Sequence, residues 1–256
     1  MTAVGVIACA GLLALLLAKS RTAKSDPLPQ VPKRVLWAWE RGEDLSFINP
    51  AKTGVAFWAG TIYLSGDTVR FDARYQPLRL PPNTATIAVV RIDAEGTVHP
   101  SLSAAQRSNT VEALLAGATA PGIKVLQIDF DAKKSQRDFY RSLLNDLRRR
   151  LPPALPVAIT ALASWCGGED WLNGLPVVEA VPMLFSLGPD EAQVRHAIAA
   201  DQEMSSPLCR YSYGVSIDEP VMRLRPERRI YGFSRKPWSV ATVSRFMQEN
   251  SDEKNP

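Results

Sequence analysis

The chain has 256 residues, 46% of them hydrophobic, with 30 basic and 26 acidic residues and a formal net charge of +4. This length and hydrophobic content allow a sizeable buried core, which excludes a protein that is disordered throughout. Five of the basic residues and one acidic residue lie within residues 1–34, so the remainder carries 25 of each and lacks the basic excess typical of nucleic-acid binding.

An uncharged apolar run, AVGVIACAGLLALLLA, covers residues 3–18. Its length fits the core of a signal peptide or a short membrane anchor over residues 1–18, so we expect an exported protein that is periplasmic or membrane-anchored. Basic residues follow the run and none precedes it, which favours keeping that side in the cytoplasm. Residues 6–9, VIAC, look like a lipoprotein cleavage box, so cleavage and lipidation remain open alternatives.

Residues 19–33, KSRTAKSDPLPQVPK, have the Pro and Lys content of an extended tether, and we expect one folded domain over residues 34–256. Cys166 and Cys209 lie in this domain. They would form one disulfide in an exported protein, whereas in a cytoplasmic protein they would more often be buried thiols.

Strands and helices alternate along the predicted domain. Apolar runs rich in β-branched or aromatic residues predict eight strands, in residues 35–39, 55–63, 86–92, 123–129, 156–162, 178–185, 213–217 and 229–233. Helical patterns occur in residues 102–116, 135–150, 190–200 and 240–249, and residues 67–75 alternate like an extra hairpin strand. This order predicts an α/β fold, an irregular (β/α)₈ TIM-type barrel whose first, second and seventh connections are too short for full helices.

The run VLQIDFDA, residues 125–132, combines apolar residues with three polar ones in register. In a strand Gln127, Asp129 and Asp131 share one face, and the apolar residues between them share the other. The inward face of a barrel strand lines the active-site mouth at its C-terminal end, so we expect both aspartates there. The alternatives are an antiparallel strand with a wet face, or Asp131 capping the next helix.

The ends of the other predicted strands carry acids, an arginine and aromatic residues, which a barrel would bring to the same mouth: Trp37, Trp39, Glu40, Arg91, Asp93, Thr160, Ser164, Trp165, Met183, Phe185, Asp218, Glu219, Tyr231 and Phe233. Aromatic rings stack on sugar faces and acids bond to hydroxyls, so this composition indicates a carbohydrate site. Each tryptophan taken alone is more often a core residue. The residues expected to bind substrate are Trp37, Trp39, Arg91, Gln127, Trp165, Asp218 and Tyr231.

Several segments resemble the uncharacterised bacterial family catalogued as domain of unknown function 3142: RVLWAWER (34–41), GVAFWAGTIYL (54–64), VVRID (89–93), VLQIDFDAKKSQRDFYRSLLNDLR (125–148), ITALASWCGGEDWL (159–172), EAVPMLFSLG (179–188) and GVSIDEP (214–220). The resemblance implies an exported bacterial protein with a glycoside-hydrolase-like barrel and no established activity. Because it favours export, it also favours the disulfide between Cys166 and Cys209.

A more distant likeness concerns the proton donor. Chitinase-like barrels are similar in carrying D-x-x-D-x-D-x-E at the fourth strand, with the final Glu as the donor. If Asp129 and Asp131 are the middle pair, the first Asp falls on Leu126 and the Glu on Lys133. That mechanism therefore does not carry over, and another acid such as Glu40, Asp218 or Glu219 would have to replace the donor.

Two functions follow as hypotheses. The first is a glycoside hydrolase acting on an envelope or extracellular polysaccharide, with Asp129 as nucleophile or base, Glu40 or Glu219 as an acid of raised pKa, and Asp131 as a further catalytic residue. The second is a non-catalytic carbohydrate-binding or envelope-assembly protein on the same barrel. Both predict a carbohydrate ligand, a membrane contact through the N-terminal segment and no nucleic-acid partner.

No cofactor or metal site is predicted. The two histidines, His99 and His196, lack HExxH spacing and clustered acid partners in the sequence.

Overall fold

The structure is a computed structural model that describes residues 25–220 and 222–250. Its strands in these ranges are β1 (Arg34–Ala38), β2 (Glu43–Asp44), β3 (Thr53–Ser65), β4 (Thr68–Ala73), β5 (Leu78–Arg79), β6 (Thr86–Asp93), β7 (Val125–Asp129), β8 (Val157–Leu162), β9 (Glu179–Met183), β10 (Ser212–Ser216) and β11 (Arg229–Phe233). The α-helices are α1 (Ala104–Gly117), α2 (Arg137–Arg150), α3 (Ala163–Gly168), α4 (Glu191–Ala199) and α5 (Val240–Glu249).

Eight parallel strands close into a barrel in the order β1-β3-β6-β7-β8-β9-β10-β11. Closure is made by β1, which pairs in parallel with β3 on one side and with β11 on the other. The predicted barrel and its eight strands are confirmed. The carboxyl ends of all eight strands consequently meet at one mouth.

The barrel is irregular where the sequence predicts short connections. Only the short β2 separates β1 from β3, the hairpin strand β4 pairs antiparallel with β3, and the described residues between β10 and β11 form no α-helix. Helices α1, α2, α4 and α5 confirm the four predicted helical patterns. Two of them begin at a serine cap, since the Ser103 hydroxyl accepts a hydrogen bond from Gln106 N and the Ser239 hydroxyl accepts one from Thr242 N.

The alternation of side chains along each strand separates an inner core from an outer one. Ile128 and Phe130 belong to a cluster with residues of α1 and α2 on the outside of the barrel. Val35, Trp37 and Tyr231 belong to an inner cluster. The odd-numbered polar residues of β7 therefore point into the barrel, as expected.

A chain segment before β1 closes the N-terminal end of the barrel. Leu28 is fully buried there, and the buried Arg229 guanidinium at the start of β11 donates hydrogen bonds to Asp26 at 2.9 Å and to the Leu28 carbonyl at 2.8 Å. The folded domain thus begins before residue 34, inside the segment expected to be a tether. The proposed signal peptide or anchor over residues 1–18, and tether residues 19–24, lie outside the described residues.

A disulfide joins Cys166 in α3 to Cys209, with their Cα atoms 5.8 Å apart. This confirms the disulfide and excludes the alternative of two free buried thiols. Within the part of the chain that is described, no helix has the length and apolar character needed to cross a membrane.

Candidate active site

The barrel mouth contains a cavity of about 240 Å³. Its wall is built from residues at or just beyond the carboxyl ends of β1, β6, β7, β8, β9 and β11. The cavity therefore lies where a (β/α)₈ barrel places its active site.

One side of the mouth is polar. Arg91 on β6, Asp129 and Asp131 on and after β7, and Thr160 on β8 come from three adjacent strands. The Thr160 hydroxyl donates a hydrogen bond of 2.7 Å to Asp129 Oδ1. Asp129 is thereby oriented from its neighbouring strand, while Asp131, two residues nearer the rim, is exposed.

The other side of the mouth is aromatic and comes from β1, β9 and β11. The rings of Phe185 and Phe233 stack with centroids 5.4 Å apart. Trp37 packs edge-on to Phe185, and Trp39 packs edge-on to Phe233, each pair with centroids 6.4 Å apart. Met183 completes this wall. Aromatic rings and hydrogen-bonding groups thus line different parts of one cavity.

A glycine on β10 makes room for the aromatic side. A Cβ at Gly214 would lie 2.9 Å from the Trp37 ring and 3.0 Å from the Met183 sulfur. Because real Cβ atoms do not approach that closely, any side chain at residue 214 would displace the Trp37 ring. The sequence analysis did not predict that Gly214 leaves space for the Trp37 ring. A glycine inside a predicted strand is the sequence signal that indicates such a close approach.

Both aspartates hold their protons more tightly than usual. Burial raises the pKa of Asp129, against the hydrogen bond from Thr160 and the charge of Arg91. Although the Asp131 residue as a whole is exposed, neighbouring groups displace water from its carboxyl group; this displacement and then the charge of Asp129 raise the pKa of Asp131 to about 6, while Arg91 opposes the rise and Glu95 adds to it. Asp131 is therefore partly protonated near neutral pH, which a general acid requires.

Three residues predicted to bind substrate lie elsewhere in the core. Gln127 and Tyr231 are fully buried inside the barrel, each two residues deeper than a residue that lines the cavity. Gln127 Oε1 accepts a hydrogen bond from Trp37 Nε1 at 3.2 Å, and the Tyr231 hydroxyl donates one to Glu179 at 2.5 Å. Trp165 is buried outside the barrel, edge-on to Trp171 at 4.7 Å. The prediction that Gln127, Tyr231 and Trp165 line the mouth is therefore wrong. Whether a side chain reaches the cavity depends on its depth in the barrel and on the direction of its loop, and not on its strand alone.

Three predicted acids do not line the cavity either. Glu40 and Asp218 are exposed, and the Asp218 carboxylate accepts a hydrogen bond from Arg235 N at 2.7 Å. Glu219 accepts one from Ser186 N at 3.1 Å and lies 3.8 Å from Arg195. Glu219 therefore positions the loop after β9, where Ser186 has a φ of 51° and lines the mouth.

Two lining residues were missed by the sequence analysis. Leu162 is the last residue of β8 and follows Thr160 by two, so the alternation already placed it on the inward face. Ser186 lies beyond the end of β9, and no local pattern distinguishes it. Among the described residues, no group of three or more His, Cys, Asp or Glu could hold a metal ion.

The fold and the mouth define a (β/α)₈ barrel with an acid-containing, aromatic-walled cavity at its C-terminal end. Residues 83–181 match the family model described as Domain of unknown function (DUF3142), which confirms the resemblance to that family over this part of the chain. The matched stretch contains β7 and both cavity aspartates.

A solved structure also matches, that of the spore cortex-lytic enzyme SleL of Bacillus cereus, with 15% identity and a TM-score of 0.46. The match covers 72% of this chain and 51% of that one, so this chain spans about half the length of SleL. The identity is too low to transfer an activity. Comparison with curated proteins finds no significant match.

Proposed function

We propose that this protein is an exported glycoside hydrolase that binds a polysaccharide of the cell envelope or the extracellular space in the barrel mouth. The observation that carries the proposal is the division of one cavity into an aromatic side and a side with two aspartates of raised pKa. A sugar ring has apolar faces and a hydroxyl-bearing edge, so it matches both sides at once.

Asp131 serves as the general acid. With a pKa of about 6 it still carries a proton in part of the molecules near neutral pH, and its place at the exposed rim allows it to protonate a glycosidic oxygen. Asp129, oriented by Thr160 and lying deeper, provides negative charge toward the cation-like sugar that forms as the bond breaks.

The source of the nucleophile follows from where these acids lie. Asp129 ends β7 and Asp131 follows it by two residues on the same side of the cavity, whereas the usual mechanisms need carboxylates that flank the bond. The aromatic side contributes no acid to the cavity lining, which favours a nucleophile supplied by the substrate itself. In substrate-assisted hydrolysis the acetamido oxygen of a 2-acetamido sugar bonds to C1 as the glycosidic bond breaks and Asp131 protonates the leaving oxygen, and water then adds to C1 and opens the new ring. We therefore propose a polysaccharide that contains such sugars.

A second candidate is a carbohydrate-binding protein without hydrolytic activity, acting in envelope assembly. The absence of a carboxylate on the aromatic side of the cavity lining favours it. The same cavity would then bind the sugar, and the two aspartates would accept hydrogen bonds from its hydroxyls.

Export is part of the proposal. It is supported by the disulfide, which persists in oxidising compartments, and by the apolar run over residues 3–18, which would direct secretion or anchor the chain.

A reducing-end assay of the full chain tests both functions. The substrates are N-acetylglucosamine oligomers, peptidoglycan glycan strands and polysaccharides without acetamido groups. If the protein is the proposed hydrolase, new reducing ends should form only from the substrates with acetamido sugars. The rate of their release should fall by about 10²-fold or more in Asp131→Asn. Glu40→Gln is the matched control, because Glu40 is exposed and outside the cavity lining.

Saturable binding by wild type without new reducing ends, weakened by Phe233→Ala, would select the binding protein. Undiminished cleavage by Asp131→Asn would disprove the assignment of the acid.

A further inference from the structure

A second groove lies outside the barrel, between α3 and α4, with a volume of about 410 Å³. Gly167 and Gly168 form part of its wall, and a Cβ at either would meet no heavy atom within 4 Å. The groove is therefore open at the point where two consecutive residues have no side chain.

The groove and the mouth cavity share two chain connections. On the first, Leu162 lines the mouth while the next residues, Ala163 and Ser164, line the groove. On the second, Ser186 lines the mouth and Asp190 lines the groove. The two cavities share no lining residue, but their lining residues are consecutive in the chain after β8 and four positions apart after β9.

The residue at the boundary is apolar and exposed. Leu162 has 39% of its surface accessible, although it ends a strand whose preceding residues are buried. An apolar side chain between two hydrogen-bonding cavities provides a surface over which a chain of sugars can pass from one to the other.

The lining of the groove contains three carboxylates (Glu169, Asp190 and Glu203), His196 and two side-chain amides. Two of the carboxylates form ion pairs. Glu169 pairs with Arg137, and Glu203 pairs with Arg225 and Arg228. Amide groups of Gln193 and Gln202 supply donors and acceptors beside the apolar Ile198. The groove thus offers hydrogen-bonding groups and an apolar contact to a hydroxyl-rich ligand, without the aromatic rings of the mouth.

The volumes of the two cavities also favour a ligand that occupies both. The mouth alone, about 240 Å³, is smaller than the roughly 300–1,000 Å³ typical of a small-molecule site. The mouth and the adjoining groove together fall within that range, so the complete site accommodates a ligand longer than the part held at the mouth.

We propose that the groove between α3 and α4 binds the sugars that continue the glycan chain beyond the mouth, so that the protein recognises an extended glycan and not a single terminal sugar. This inference rests on the proposed function. It adds a second binding surface and assigns its occupant as the same chain.

Isothermal titration of the full chain with N-acetylglucosamine oligomers of two and six sugars tests the proposal, with Asp131→Asn as the background so that no ligand is cut. We expect the six-sugar ligand to bind about tenfold more tightly, as a few additional hydrogen bonds provide. Gly167→Phe fills the groove and should abolish this gain while leaving the two-sugar affinity unchanged. Gly168→Phe is a second variant, and Ala192→Phe, on the exposed part of α4 outside the groove lining, is the control.

A gain with chain length that persists in folded Gly167→Phe and Gly168→Phe would overturn the inference, as would equal affinities for both ligands in the background protein. In either case the mouth would still bind sugar and the proposed function would stand. Binding of neither ligand by the background protein would instead overturn the proposed acetamido-sugar specificity together with the inference.

Discussion

Replacing Asp129 by Asn should lower the pKa of Asp131. Displacement of water is the largest cause of the raised pKa of Asp131, and the negative charge of Asp129 is the next largest. Asparagine removes the charge and keeps an oxygen that can accept the hydrogen bond from Thr160, so the local geometry is preserved.

The size of the effect is bounded by the structure. With a pKa of about 6, half of the Asp131 side chains are protonated at pH 6, whereas at the usual value of 3.8 fewer than about one in a hundred would be. Displacement of water remains in the variant, so its pKa should lie between these two values. A fall of only about half a unit would already reduce the protonated fraction at pH 6 from about a half to about a quarter.

Carbon-detected NMR titration of the Asp131 carboxyl measures this pKa directly. Glu95→Gln should lower it less than Asp129→Asn, and Arg91→Met should raise it, because Arg91 opposes the shift and Glu95 contributes the smaller rise. An unchanged or higher pKa in Asp129→Asn would show that the two carboxylates do not interact, and the reasoning about the acid would fail.

Three further predictions concern stability. Asp131→Asn should stabilise the fold at about pH 7.5 by up to about 1 kcal/mol, the modest size reflecting solvent screening, and should have no effect near pH 3.5. The sign follows because the folded state binds the Asp131 proton more tightly than the unfolded state, so the contribution of this proton to stability is lost as the pH rises from about 4 to about 6. A difference in urea midpoint between wild type and Asp131→Asn that is the same at both pH values would contradict this prediction. Loss of the Cys166–Cys209 disulfide, which spans 43 residues, should cost about 4 kcal/mol of chain entropy, measured by urea denaturation of the oxidised and reduced proteins. Tyr231→Phe should lower stability by about 1.5–3 kcal/mol, because it removes the hydrogen bond to the buried Glu179, and should leave glycan affinity unchanged; weaker binding would return Tyr231 to the substrate site.

The barrel could be predicted from the sequence because the eight parallel strands carry their own signal. Each is a short run of apolar, β-branched or aromatic residues, and the four longer helices have a clear helical pattern. The short α3 and the paired strands β2 and β5 carry too few residues for either pattern to register, and they were missed.

The alternation along residues 125–132 by itself determined that Asp129 and Asp131 share one face and that Ile128 and Phe130 share the other; closure of the barrel made the face of the aspartates the inward one. This holds because successive side chains of any strand point to opposite faces. The same period also placed Gln127 and Tyr231 on inward faces, and both are there.

The tertiary structure alone decided how deep each inward residue lies and where each loop leads. Tyr231 and Phe233 share one face of β11, yet Tyr231 contacts the buried Glu179 and Phe233 lines the mouth. The period of a strand specifies a face and not a height along the barrel axis, which depends on the stagger of all the strands around the closed sheet. Glu219 is likewise turned toward Ser186 by a loop whose path no local sequence pattern encodes.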